Sequence, residues 1–462
     1  MNKSVIKCLL LISLLMVNLP LAAQTAPSQR LPENVPGLLK AANNAYAAKD
    51  YVTFRNAMMA VNKMRPYNSD YMYQLVIAHA LLKDKTPAYD MMLRMQKQGL
   101  AYDFSLPEST VNIRGTQVFD YVNDLMKMAG EPMGESESVF VLPDTVVKPE
   151  TITWDESRQK FLIGTIADGS ILAVGEDGQV EELLRADSEN GMWAILDLAI
   201  DQDQKRLWVT SASIQFFSRF DPVDKGRSAL YELNLETLEV INRYPVPVDG
   251  QAHILGSMAL SPNGDIYIAD RHLPIIYKKA SGEQKLKPVM ALKEMLSLRG
   301  VAIHADGRYM YVAGREMGIA VIEMASGRVG KLISPETLNL GGIDGLYLKD
   351  NRLFVIQNGI KPQRVIGLQL DPSGLKVTEI TPMAVAQPEF DFPNYGTLKG
   401  EDLYYFASSQ WSGDTKSQKA VTVLRTPLNS AKEIIQPDMR LYLEKKARDD
   451  AKKLEEQEQQ KN

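Results

Sequence analysis

Six residues share one position in an internal repeat of this chain: Glu150, Leu196, Gly256, Arg299, Asp344 and Asn394. If the repeats close into a ring, two carboxylates, a guanidinium and an amide converge on one axis. Paired carboxylates can hold a cation and help activate water. Carboxylates beside a guanidinium can instead neutralise a wet channel, with no ligand involved. Both readings stand on these residues alone.

A second set sits in turns expected on the same face: Phe216, Phe217 and Arg219, then Arg271 and His272, Arg315, Lys361, and Gln410 with Trp411. Cations gather there although the formal charge of the chain is −5. Asp221, Asp270 and Glu316 are acidic neighbours that cancel part of that field. Where it survives beside aromatic rings, it suits an anionic small molecule or a carboxylate-bearing peptide. No other catalytic constellation is visible: the four histidines are scattered, and G-x-S-x-G, H-E-x-x-H and phosphate-loop patterns are absent.

The elements that must position these residues are short strands. Residues 149–174 read as a strand, a turn, an alternating strand, an Asp-Gly turn and another strand. Versions recur from Leu198, Met258, Val301, Leu346 and Gly396, about 43 to 60 residues apart. Alternating triplets such as Leu207-Trp208-Val209 and Ile266-Tyr267-Ile268, separated by polar turns, mark the second strand of each. One small sheet cannot bury both faces alone, so six copies predict an all-β six-bladed propeller over residues 147–436.

The PET run at Pro149–Thr151, the IDGLYL run at Ile343–Leu348 and the SPNG and HADG turns resemble the six-bladed gluconolactonase and regucalcin-like family. That resemblance implies a divalent cation, calcium or zinc, held by a glutamate, an asparagine and an aspartate, and hydrolysis of sugar lactones and related esters. Glu150 matches the glutamate and Asp344 the aspartate, which makes them the candidate metal-binding and catalytic carboxylates. Arg299 stands at the asparagine position, and Gly256 where a further asparagine is usual. A fixed positive charge about 5 Å from a divalent ion costs about 6–7 kcal/mol at an effective dielectric near 20. A metal therefore requires Arg299 to turn away or Asn394 to serve as the neutral oxygen ligand.

Ahead of the propeller the apolar period is helical. Leu38, Ala41, Ala42 and Ala45 line one helix, Phe54, Met58 and Val61 the next. A shift of about 34 residues brings Met72, Leu75, Val76 and His79, then Ala88, Met92, Met95 and Leu100. This spacing resembles tetratricopeptide repeats over residues 36–99, and Gln117–Met128 reads as a capping helix that completes a helical domain over residues 36–129. Met58, Met59, Met91, Met92 and Met95 read as core fillers, and His79 as a core residue. The alternative is a concave face that recruits a protein or peptide partner. Residues 130–146 read as a polar linker, 24–35 as a flexible leader and 437–462 as a charged helix or tail.

Lys3 and Lys7, the apolar run Cys8–Leu21 and Ala22-Ala23-Gln24 form a secretory signal peptide, residues 1–23. Cys8 is the single cysteine and precedes the apolar core, so there is no lipoprotein signal. After cleavage the charge is −7, nothing points to nucleic acid, and no other stretch approaches the roughly twenty apolar residues of a membrane span. The chain thus reads as a periplasmic or secreted binding or assembly protein. Its helical repeats recruit a partner, and its propeller face binds an anionic ligand through Arg299, Asn394, Arg219, Arg271, His272, Arg315 and Trp411. The alternative is a divalent-metal-dependent lactonase or esterase with Glu150, Asp344 and Asn394 at the ion.

Overall fold

The computed structural model describes residues 31–411 and 420–429, with a few positions between 443 and 452. The signal-peptide reading of residues 1–23, most of the leader and nearly all of the charged tail lie outside the described residues.

Helices α1 (Val35–Ala47), α2 (Tyr51–Met64), α3 (Ser69–Leu81), α4 (Lys85–Lys97) and α5 (Gln117–Met128) follow one another. Four begin where a polar side chain can satisfy the free N–H groups of a first turn. Asn34, Asp50, Asn68 and Thr116 accept from Gly37, Thr53, Asp70 with Tyr71, and Phe119. The apolar stripes are buried as their spacing requires: Leu38, Phe54, Met58, Val76, Met92 and Met95 are all within 3% of full burial. Met59 departs from the expectation of a core filler. It stands 52% exposed, because it follows Met58 and so faces the other side of α2.

Beyond α5 the described chain forms six antiparallel sheets. Their first strands are Pro149–Asp155, Ala194–Asp201, Leu255–Leu260, Leu298–Ile303, Ile343–Lys349 and Gly396–Lys399. Each first strand touches the next, and the last touches the first, so the ring is closed with these strands innermost. Core clusters lie between successive blades, for example Phe140, Ile152, Phe161, Ile163, Tyr404 and Phe406 between blades one and six.

Residues 130–146 are not a linker. Met133–Gly134 pairs with the outer strand Val377–Val385 of blade five, and Glu137–Leu142 supplies the outer strand of blade six against Val421–Pro427. The propeller therefore starts before Val147. Phe140 and Leu142 are buried while Glu137 and Val141 are exposed, the alternation of a half-buried strand.

The helices dock on blades four and five. Arg65 and Asn68, at the turn into α3, hold Glu316 at 3.2 and 2.9 Å. Ala101 N donates to Lys361 O at 2.7 Å. Ile360 completes the helical core, and Tyr67 packs against the core between blades four and five. Among the described residues, no helix is long and apolar enough to cross a membrane.

Candidate ligand-binding site at the propeller hub

In blades one to five the ladder between the first and second strands is broken at one place by a bulge. The breaks fall between Pro149 and Thr151, Ile195 and Asp197, Leu255 and Met258, Leu298 and Val301, and Ile343 and Gly345. The residues in these gaps include Glu150, Leu196, Gly256, Arg299 and Asp344. A bulge turns a side chain out of the pleat, and here it turns Glu150, Leu196, Arg299 and Asp344 towards the axis, while Gly256 presents none. Asn394 arrives from the segment preceding the blade-six strand, with its backbone N–H on Phe406 O at 3.1 Å.

Glu150, Leu196, Arg299, Asp344 and Asn394 line one cavity of about 750 Å³. A second ring meets them there, one position past the end of the second strand in blades one to five: Ile166, Ser213, Arg271, Arg315 and Asn358, with Ser409 three positions past it in blade six. Arg271 and Arg315 were expected on this face. The same offset in the repeats points to Ser213 and Asn358, which the turn-by-turn reading passes over.

Each hub carboxylate is engaged by arginine. Glu150 Oε1 accepts from Arg271 Nη1, and its Oε2 from Trp411 Nε1 at 3.0 Å. Arg271 Nη2 reaches Leu196 O at 3.3 Å, and the guanidinium lies 4.8 Å from the Tyr395 ring. Gly256 makes this reach open, since a Cβ there would collide with Nε, Cγ and Cδ of Arg271. Burial works against the charge of Arg271, but Tyr395, Glu150 and Asp197 outweigh it and raise its pKa above the ordinary arginine value. Asp344 Oδ1 accepts from Arg315 Nη1 at 2.9 Å and pairs with Arg299 Nε at 3.3 Å, while Oδ2 takes Asn358 Nδ2 at 2.5 Å.

Arg271, Arg299, Arg315 and Lys225 line the cavity against the carboxylates Glu150 and Asp344, with Asp197 behind Arg271, so cations are in excess. That composition does not fit a divalent cation. Both oxygens of each carboxylate are already occupied by donors, and the positive charges would repel an ion at several kcal/mol apiece. Among the described residues, no group of three His, Cys, Asp or Glu side chains is placed to hold a metal.

The cavity does lack something. Eight buried polar side-chain atoms among the described residues have no hydrogen-bond partner, and six belong to residues lining this cavity: Ser213 Oγ, Arg271 Nε, Arg299 Nε, Asn358 Oδ1, Asn394 Oδ1 and Ser409 Oγ. Leaving such atoms unmet costs about 1–3 kcal/mol each; Arg271 Nε packs on Gly256, and the clustering of the other five beneath the cavity marks a place where polar contacts are short. The walls above them are apolar: Ile214, Phe216, Phe220, Ile254, Phe392 and Trp411. Phe216 meets Trp411 edge-on at 4.8 Å, and Lys148 Nζ lies 4.3 Å from the Trp411 ring. His272 lines the same space.

Arg219 does not join the site. Its guanidinium donates to Asp168 O and Ala186 O and lies 5.3 Å from the Phe217 ring, so it braces the blade-one to blade-two turn. Phe217 is likewise core, at 5% exposure. Gln410 accepts from Lys148 N at 2.6 Å and ties blade six to blade one. Of the acidic neighbours, Asp270 is buried against His253 and backbone donors, and Glu316 faces Arg65. Neither cancels the hub cations.

No protein-family model and no curated protein sequence matches the chain. Solved structures do resemble it over the propeller. A gluconolactonase from Xanthomonas campestris is 13% identical, covering 63% of this chain and 89% of that one, with a TM-score of 0.44. The calcium-binding protein regucalcin from Agrobacterium tumefaciens is 12% identical over 62% and 94%, at 0.46. A virginiamycin B lyase from Staphylococcus aureus is 16% identical over 64% and 89%, at 0.43. At these identities and TM-scores the likeness carries no argument beyond a β-propeller fold; the six blades, here preceded by a helical region, are read from the sheets of this chain itself.

Proposed function

We propose that this chain is an exported binding or assembly protein whose propeller hub captures an anionic ligand with an apolar body, while its helical region engages a protein partner. The observation that carries this reading is the cluster of unpartnered buried polar atoms beside an excess of cations, under apolar walls. Among the described residues, Arg299 makes one ion pair and no hydrogen bond, so its guanidinium is the seat for the ligand's charge. A desolvated guanidinium binds a carboxylate more strongly than one in open water. Export rests on the basic, apolar and small-residue pattern of residues 1–23. The partner role of the helices is supported by Tyr46, Val52 and Met59, three large apolar side chains exposed on α1 and α2.

The metal-dependent lactonase reading, with Glu150 and Asp344 as catalytic ligands, has the shared fold in its favour and no observation at the site. Calorimetry on the chain from Gln24 onward tests both. 4-Phenylbutyrate should bind saturably, 4-phenylbutanol and 4-phenylbutylamine should not, and Arg299→Met should weaken the acid at least 10-fold. Equal binding of all three probes, or tight calcium or zinc binding with lactone turnover, would overturn the proposal.

A further inference from the structure

The hub cavity does not end at its own rim. Arg315, Asn358 and Phe392 also line a neighbouring groove of about 410 Å³, whose far wall is the turn into α3, including Asn68 and Asp70. Lys361 and Gln363 of blade five complete it. The helical region is therefore part of the same concave surface as the hub, and its position there is fixed by Arg65, Asn68 and Ala101.

We infer that cavity and groove together hold the carboxyl-terminal segment of a peptide, with the terminal carboxylate at Arg299, the last side chain against the apolar walls, and the preceding residues leaving along the groove past Phe392. This rests on the anionic-ligand reading above and extends it to a ligand class. A simple acid would satisfy only the arginine donors. Asn394 and Asn358 are 3% and 6% exposed, and each holds an unpartnered amide oxygen that calls for an N–H donor. The orientation of Asn358 is set by its Nδ2 donating to Asp344, so its oxygen faces away from that carboxylate. A peptide end brings a carboxylate and a backbone N–H within one residue of each other, which matches acceptors and donors set side by side. An extended segment also explains the shape, since a compact acid filling the hub would leave the groove empty.

Binding is measured on the full chain from Gln24 with three probes: an N-acetylated pentapeptide mixture randomised at the first four positions and ending in phenylalanine, the same mixture with an amidated terminus, and N-acetylphenylalanine. The free-acid pentapeptides should bind at least 10-fold tighter than N-acetylphenylalanine, and amidation should remove most of that affinity. Arg299→Met, with Arg299→Lys as the milder variant, should weaken pentapeptides and N-acetylphenylalanine alike. Lys361→Glu, with Lys361→Ala beside it, should weaken the pentapeptides and leave N-acetylphenylalanine unchanged. If N-acetylphenylalanine binds as tightly as the free pentapeptides, the groove takes no part and the peptide inference fails while the hub reading survives. Equal binding of free and amidated peptides overturns the carboxylate seat. Absence of binding by every probe, 4-phenylbutyrate included, overturns both.

Discussion

Asp197 shows how much of the hub is held by one side chain. It follows the bulge in blade two, and its carboxylate collects donors from three blades. Oδ1 accepts from Thr151 Oγ1 at 2.8 Å and Leu198 N at 2.9 Å, and Oδ2 from Met258 N at 2.7 Å. It is half-buried and lines a void of about 230 Å³ that shares Tyr395 with the ligand cavity, and it is not among the residues lining that cavity. Burial outweighs the donors and pushes its pKa up to about 6. The unfolded value lies near 3.9, so between about pH 4 and 6 the fold keeps a proton that the unfolded chain has released. The contribution of this group to stability therefore grows as pH falls through that window and is lowest above it. Asp197→Asn should remove this component. The stability gap between parent and variant should move in the parent's favour by on the order of 2 kcal/mol from pH 7 to pH 4.5 in urea titrations, and a gap that does not change with pH would show the carboxyl to be ionised throughout. The convergence of Glu150, Arg299 and Asp344 was legible in the sequence because it follows from repeat register. Asp197 was not, since its neighbours come from blades far apart in the chain. Arg271 was placed on the right face, but its partner was hidden, because Gly256 reads as a missing ligand and acts as the socket for the Arg271 side chain.

Among the elements, the junction of α4 with blade five depends on a buried arginine with no acid beside it. Arg364 opens the third strand of blade five. Its Nε donates to Gln357 Oε1 at 2.7 Å, and its Nη1 to Gln98 O at 3.0 Å, at the carboxyl end of α4. Asn339 joins Gln98 at 3.0 Å, and Gln357 joins Asn339 O and Gly341 O at 2.9 and 2.7 Å. Burial pulls the Arg364 pKa down to about 10, which still leaves it charged at neutral pH, and a cation at a helix carboxyl end is favourable. Arg364→Met would leave several of these acceptors unmet and should cost about 2–4 kcal/mol. In calorimetry the expected result is an early transition for the helical region separating from the propeller, and a single unchanged transition would show that the junction does not depend on this residue. The helices and blades were themselves readable, the former from apolar spacing, the latter from period-two strands between Gly and Asp turns. Nothing in the local pattern RVIGLQL says that its arginine is buried, because the groups that accept from it lie on another strand, a loop and a helix end.

At the scale of the whole molecule, the ring is closed by a strand from the wrong end of the chain. Blade six takes three strands from residues 396–427 and its fourth from Glu137–Leu142. The Gly, Pro and acidic residues before Val139 hide this strand, although Phe140 and Leu142 alternate as a strand requires, and its partner lies some 280 residues later in the sequence. Without it, the edge of Val421–Pro427 would be left as an unpaired ladder, open to pairing with other chains. Glu137 and Arg425 stand directly opposite each other in this closing pair and form an exposed ion pair, which by itself adds little. Opposed residues of an antiparallel pair lie about 4.5–5.5 Å apart at Cα, within disulfide reach. Cys8 is the one cysteine of the sequence, so in the chain from Gln24 onward Glu137→Cys with Arg425→Cys introduces one defined pair. Under oxidation the bond should form in the folded monomer and tie a loop of nearly three hundred residues, raising unfolding stability by about 2–4 kcal/mol. Reduction should return Tm to that of the reduced double variant, and each single cysteine variant should show no such redox dependence. If residues 130–146 were a free linker, the two thiols would not be held together and oxidation would leave Tm unchanged or yield mixed oligomers.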